Sequence, residues 1–190
     1  MSNVAITGNA SGTGVFTVAS PNSNVDRVLT LPDETGTVLT TTTPGVPVNG
    51  PAFSAYSSAA TTINNVTNTK IILQTKEFDT AGAFDATTTY RFTPQVAGYY
   101  QVNGSIGFSL NTTNFRFITI FKNGTAIKGG QSLPGGSPNL LVITVAALVF
   151  LNGSTDYLEL FGNQNSGSTL TTSTNPLETY FQAFLARSAL

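Results

Sequence analysis

Nine carboxylates are the side chains from which acid–base or nucleophilic chemistry would have to be assembled in this 190-residue chain, because it contains neither His nor Cys. The missing imidazole removes Ser-His pairs and His-ligated zinc, and the missing thiol removes Cys-His pairs, disulfides and thiolate metal sites. Paired-carboxylate work of the glycosidase kind remains, and it needs two acids about 5–10 Å apart. Glu77-Phe78-Asp79 sets two acids on one face of a strand, Asp85 follows, and Asp156 and Glu159 lie either side of Tyr157. Lone strand carboxylates are ordinarily solvated or ion-paired, and Lys76 sits beside Glu77. The expectation is therefore no enzyme, no catalytic residue and no cofactor. No oxygen-rich run has the pattern of a calcium loop, so no metal is expected either.

The elements that must carry these residues are strands. Charged residues make up 9% of the chain against 40% hydrophobic, and the balance of Thr, Ser, Asn and Gly suits strands and turns. Eight basic and nine acidic residues, scattered singly for a net charge of −1, offer no basic stripe, so neither nucleic acid nor an anionic membrane is an expected partner. The longest apolar run, Leu140 to Leu151, is interrupted only by Thr144 and is too short for a membrane span of about 20 residues. MSNVAITGNASG lacks a basic segment followed by an apolar one, which predicts synthesis in a cytoplasm without a secretion signal. On that expectation the six Asn-x-Ser/Thr triplets, at Asn9, Asn65, Asn103, Asn111, Asn123 and Asn152, read as chance in an Asn- and Ser-rich chain.

Two regions emerge. Residues 1–49 form a thin β appendage ending in a Pro/Gly linker: TTTTPGVPVNGP (40–51) has three prolines, two glycines and no periodic pattern. Within it RVLTLPDETGTVL (27–39) reads as an isolated hairpin, marginal in water unless something covers its apolar side. Residues 50–190 are long enough to bury a core. There FRFITIFKNGTAIKGG and LLVITVAALVFLNGSTDYLELFG each place Asn-Gly between apolar strands, predicting hairpins at Asn123 and Asn152. In GYYQVNGSIGFSL, Tyr100, Val102, Gly104, Ile106 and Phe108 share a core face, with Tyr99, Gln101, Asn103 and Ser105 opposite. The strands around Phe117 and Leu140 to Leu151 are apolar on both faces, which implies a subunit contact. Tyr99, Phe117, Val145, Leu148 and Tyr180 are its expected residues.

The second region resembles the globular heads of the first complement component and the related tumour-necrosis-factor-like jelly rolls. The likeness rests on PAFSAY (51–56), YRFTPQVAGYYQVNGSIGF (90–108), IFKNG (120–124), VFLNGSTDYLEL (149–160) and FQAFLA (181–186). The N-terminal region, in GNASGTGVFTVASPN and RVLTLPDETGTVL, resembles shaft segments of bacteriophage tail fibres and other virion fibres. The two resemblances imply an all-β homotrimer: a TNF-like jelly-roll sandwich preceded by a short β-rich fibre shaft, on a virion surface. The shaft hairpin would then be covered by two copies of itself.

If consecutive strands alternate in direction, the two Asn-Gly turns fall at one end of the head, and the loops 111–114, 129–139 and 162–176 at the other, away from the shaft. Their amides and hydroxyls could bond sugar hydroxyls. Asn163, Gln164, Asn165, Ser168, Thr171, Gln131 and Asn139 are accordingly the expected receptor contacts. Two functions follow from this organisation: a fibre head that attaches to a host-cell surface, with a glycan or protein receptor, and a structural virion component that binds nothing critical. In both, the N-terminal segment joins other virion proteins. An enzyme degrading envelope polysaccharide and a secreted cytokine-like ligand stand behind these two.

Overall fold

The computed structural model describes residues 11–15, 17, 24–26, 28, 50–135 and 140–189. The chain divides into two units, Met1–Thr37 and Val38–Leu190. Apart from Val28, the hairpin expected at 27–39 lies outside the described residues, and so does the linker as far as Asn49.

Every regular element described in the second unit is a strand. In chain order these are β1 (Ala52–Tyr56), β2 (Thr62–Ile63), β3 (Thr69–Lys70), β4 (Thr75–Asp79), β5 (Phe84–Asp85), β6 (Arg91–Phe92), β7 (Ala97–Phe108), β8 (Arg116–Lys122), β9 (Thr125–Ser132), β10 (Leu141–Asn152), β11 (Leu158–Gln164), β12 (Leu170–Thr171) and β13 (Tyr180–Ser188). They form a sandwich of two sheets. The first runs β10-β7-β13-β1-β4; the second runs β5-β6-β11-β8-β9 with β3 also paired to β11. A small β12–β2 ribbon lies beside them.

The period-2 pattern explains the sandwich. Along β10, Ile143, Val145, Ala147, Val149 and Leu151 are buried while Val142, Thr144, Ala146, Leu148 and Phe150 are exposed. β7 alternates as its sequence predicts as far as Asn103, with Tyr100 and Val102 inside; from Gly104 to Phe108 every residue is buried, Ser105 included, because its hydroxyl is covered by the Glu178 carbonyl. Ile118 and Ile120 of β8 and Leu158 and Leu160 of β11 close the core from the other layer. Between the sheets, Phe53 stacks on Phe84 and Phe92 at centroid distances of 4.6 and 4.5 Å, with Phe181 edge-on at 5.4 Å. Such a cluster concentrates apolar burial and ring contacts at one point.

The Asn123-Gly124 hairpin between β8 and β9 is present, with φ of 52° and 77° as a type I′ turn requires. The hairpin expected at Asn152-Gly153 is not. β10 pairs with β7 in the first sheet and β11 with β8 in the second, so this turn carries the chain across the sandwich. Asn152 organises it by accepting the amides of Ser154, Thr155 and Asp156 on Oδ1, each at 3.0 Å. Asn-Gly supplied the turn chemistry but could not specify which sheet the next strand joins.

Candidate functional site

The carboxylates of the second unit serve its structure. Asp79 accepts the amides of Ala83 and Phe84 and pairs with Lys76 at 3.1 Å. Asp85 caps its turn through the amides and hydroxyls of Thr87 and Thr89. Glu77 accepts the Ser54 hydroxyl at 2.6 Å, Glu159 pairs with Lys70 at 2.5 Å, and Glu178 bonds the Ser173 hydroxyl. Asp156 pairs with Lys122 at 2.8 Å and also takes the Asn123 side-chain amide and the Asn152 backbone amide, tying the two Asn-Gly turns together. Glu77 and Asp79 thus engage different partners. Among the described residues no group of three or more acids could hold a metal.

Burial works to raise the Asp156 pKa, but the Lys122 ammonium, Asn123 and the Asn152 amide outweigh it and leave the carboxyl below its ordinary value. Asp79 is lowered the same way, its burial outweighed by the Ala83 and Phe84 amides and Lys76. Asp85 is lowered chiefly by the Thr89 and Thr87 hydroxyls. For a depressed carboxyl, the stability it contributes is present above the unfolded value of about 3.9 and is lost as pH falls through the lower folded value. The parent is therefore expected to lose melting temperature below about pH 4. Asp156→Asn should melt lower at pH 7 and show a shallower acid decline. Parallel declines of variant and parent from pH 7 to 3, read by circular dichroism, would show that Asp156 contributes none of the acid sensitivity.

The strands do alternate, so the loops sort as expected. The turns at Asn123 and Asn152 meet at one end, and Gly50 sits at that same end against Leu185 of β13. At the other end, loop 109–115 meets loop 165–169: the Asn114 side chain donates to the Asn165 carbonyl at 3.1 Å, and the Phe115 amide to Asn165 Oδ1 at 2.8 Å. Sequence reasoning missed a third participant, the loop Asn64–Asn68. Asn65 Oδ1 accepts the Gly167 amide at 2.8 Å, and Asn68 Oδ1 accepts the Asn163 side chain at 2.8 Å. At its tip Val66 is 69% exposed with φ of 55°, an unusual backbone conformation for a β-branched residue. The run NNVTN, three Asn in the five residues between β2 and β3, was the available signal.

Beneath these loops lies Arg116, fully buried and without a carboxylate partner among the described residues. Its Nη1 donates to the carbonyls of Thr113, Asn114 and Phe115 at 2.7, 3.1 and 3.2 Å, and its Nη2 to Asn111 at 2.9 Å; Nε has no partner. Burial lowers its pKa, yet a guanidinium remains charged. The fork holds loop 109–115 by its carbonyls. Arg116→Met keeps the volume and loses the fork, and is expected to cost about 2–4 kcal/mol, since hydrogen bonds to charged groups contribute about 1.5–3 kcal/mol each and the charge's own burial cost is relieved. Denaturant unfolding checks it; a cost below about 0.5 kcal/mol, the usual range for surface changes, would mean the loop is held by other contacts.

The expected receptor contacts divide. Ser168 and Thr171 are exposed near the distal loops, and Asn163 and Asn165 are half-buried with side chains bonded to Asn68 and Phe115. Asn139 lies outside the described residues. Gln164 cannot be a surface contact: it is fully buried, its amide donating to the Ile63 and Ser168 carbonyls and accepting from Ser166. The expected loop began too early, because Gly162 is not a turn residue. β11 continues through it, and a Cβ there would meet Ile63, Ile106 and Ile71 at 3.0–3.2 Å. Gln131 is exposed, but on β9 rather than a loop, directly opposite Phe117. Gly129 and Gly130 continue that strand because a Cβ at Gly129 would lie 2.8 Å from the Ile118 carbonyl.

The expected interface residues also divide. Tyr99, Leu148 and Tyr180 lie on the outer face of the first sheet, where Tyr99 is 44% and Leu148 59% exposed. Phe150 and Phe184, at 43% and 50%, extend the patch, and Phe78 at 51% lies on the edge strand β4. A groove of about 510 Å³ opens there between Tyr99, Leu148, Phe150 and the chain 186–189. Val145 is not on this face: three positions from Leu148, it points into the core and is 7% exposed. Phe117 belongs to the second sheet and faces outward on the opposite side of the sandwich. Two-sided apolar strands occur in both layers, so they do not define one contact surface.

Two sheets so connected, closed over one core with no helix among the described residues, make a tumour-necrosis-factor-like jelly roll. No protein-family profile and no curated protein sequence matches the chain. Among solved structures, murine APRIL at pH 5.0 is similar with a TM-score of 0.55 at 12% identity, over 72% of this chain and 98% of the other. Eiger TNF from S. frugiperda is similar with a TM-score of 0.55 at 12% identity, over 78% and 96%. At these identities the likeness is one of fold.

Proposed function

We propose that this chain is a homotrimeric attachment fibre of a virion, made in the host cytoplasm, whose jelly-roll head meets a host-surface receptor, a glycan in class. The observation that carries the reading is the outer face of the first sheet. Tyr99, Leu148, Phe150 and Phe184 leave a contiguous apolar patch uncovered on that face. Two further copies cover it by a threefold arrangement, burying on the order of 2,000 Å² or more in an obligate assembly. Residues 1–49, with their fibre-like sequence, join the head to other virion proteins. Gly50, at the short-turn end, leaves the loops at the opposite end free to face a cell.

One observation favours the second reading, a structural head fibre without a receptor role: the distal amides of Asn65, Asn68, Asn163 and Asn165 are engaged with one another and with backbone. Two measurements test the proposal. Light scattering of the full chain should give three times the 19.8 kDa monomer mass. Particles labelled with an antibody against this chain should carry the label at fibre tips, and that antibody should block adsorption. A monomer, or unlabelled fibres, overturns the fibre reading; tip labelling without any block favours the structural one.

A further inference from the structure

Outside the distal loops, the outer face of the second sheet carries a shallow groove of about 230 Å³ lined by Phe117, Ile118, Thr119, Gly129, Gly130 and Gln131. It is made by an omission. Gly129 lies opposite Thr119 across the β8–β9 ladder, so one position of the outward row has no side chain. Only glycine fits, because a Cβ would stand 2.8 Å from the Ile118 carbonyl and 3.2 Å from Thr119 Oγ1. Around this notch the residues form a row across three strands: Gln131 on β9, Phe117 on β8 and Asn163 on β11 are register partners.

The polar groups at the notch are uncommitted. The Gln131 amide and the Thr119 hydroxyl have no hydrogen-bond partner among the described residues, and Asn163 spends its amide nitrogen on Asn68 while keeping its oxygen. None of the lining residues is charged, the nearby Lys70 and Glu159 neutralise each other at 2.5 Å, and Lys128, next to Gly129 on β9, is the register partner of inward-facing Ile120 rather than of Thr119 and so lies on the other face of the strand. We infer that this groove is a subsite for one ring of a neutral saccharide. The phenyl face of Phe117, negative at its π cloud, suits the weakly positive C–H face of a pyranose. Gln131 offers two donors and an acceptor, and Thr119 one of each, which matches adjacent ring hydroxyls. The volume lies below that of drug-sized pockets, about 300–1,000 Å³, and so limits the occupant to a single sugar unit. An anionic sugar would find no cation among the lining side chains.

This assignment rests on the reading of the chain as an attachment head and deepens it, moving the glycan contact from the distal loops to the side of the head. The groove faces away from the apolar patch of the first sheet, so assembly through that patch leaves one copy exposed on each subunit. A single ring on an open surface should bind with a dissociation constant on the order of 1 mM, and useful adhesion then depends on several copies acting at once.

The probes are methyl glycosides of glucose, galactose, mannose and N-acetylglucosamine, with glycerol as the acyclic control, observed by saturation-transfer NMR on the full chain. At least one glycoside is expected to receive saturation on its ring C–H protons, and glycerol none. Thr119→Val with Gln131→Leu should weaken that glycoside about tenfold, as losing about 1.4 kcal/mol of contact does. Thr88→Ala with Gln95→Ala, exposed side chains outside the groove and the distal loops, should leave it unchanged. Because both pairs lie on the surface, unaltered circular dichroism confirms the fold, and Phe117→Leu serves as an independent third variant. No glycoside bound at about 10 mM, ten times the expected dissociation constant, overturns the assignment, as does equal binding by the Thr119/Gln131 variant and the parent. Host-cell adsorption separates the two proposals. Adsorption without glycoside binding sinks the subsite and leaves the attachment reading standing; glycoside binding without adsorption does the reverse.

Discussion

Phe53→Ala is expected to lower the stability of the head by about 3–5 kcal/mol, the range for truncating a buried aromatic. For a domain of this size that is a fall in melting temperature of roughly 10 °C. Phe53 is fully buried on the inner face of β1, and its ring is shared by Phe84, Phe92 and Phe181, which come from both layers. Removing it takes away the contact through which the short strands β5 and β6 are held, and those strands have few ladder bonds of their own. Phe53→Leu should recover more than half the loss by refilling volume without the stacking. The exposed Phe78→Ala is the matched control and should change the isolated head little. Thermal melts of the three variants decide the matter. Equal losses for Phe53→Ala and Phe78→Ala would mean that the aromatic cluster is not the centre of the core.

If the chain assembles as proposed, Leu148→Glu with Phe184→Glu is expected to convert the proposed trimer to a folded monomer. Both side chains point outward from the first sheet, 59% and 50% exposed, so in a lone chain the new carboxylates remain in water and the fold should persist. In a trimer closed through this face, six carboxylates would be desolvated together, at an effective cost of several kcal/mol each. Sedimentation should report the monomer mass, with the parent's far-ultraviolet dichroism retained. Phe117→Glu, on the opposite layer, should stay trimeric. If instead the first variant stays trimeric and Phe117→Glu dissociates, the subunit contact lies on the second sheet, and the saccharide groove beside Phe117 would be covered.

The architecture was legible wherever a face alternated. β7 follows its pattern through Asn103, and Asn123-Gly124 makes the turn its residues demand. Three things were not legible, for separate reasons. Gly129 and Gly162 look like loop punctuation, but each is a strand position crowded by a neighbour from another strand, a fact that exists only after folding. Asn152-Gly153 has hairpin chemistry, yet whether the chain turns back or crosses layers depends on β7 being available to pair with β10. Val145 and Leu148 looked equivalent because both are apolar; their odd separation along a strand already put them on opposite faces, so that error was avoidable. The candidate site fared similarly. The clustering of polar loops at one end followed from strand alternation. The engagement of Gln164 by Ile63 and the notch at Gly129 opposite Thr119 depend on strand neighbours fixed only by folding, whereas the cage around Arg116 is built from carbonyls of the residues just before it, and nothing in the residue types says that the side chain turns back to reach them.

Gly50 leads straight into β1, which lies between β13 and β4 and matches β13 over five consecutive residue pairs, Ala52↔Phe184 to Tyr56↔Tyr180. The mechanical consequence concerns a head tethered at Gly50 and gripped at its far end or side. Tension then runs along β1, at right angles to ladder bonds that lie across the strands. Such a load cannot open the ladder one rung at a time, as peeling a hairpin from its tip would; it must shear every rung of both flanking ladders together. The chain therefore meets a pull on its tether in the direction in which an antiparallel sheet yields least, and weak grips at the surface should release before the head unravels.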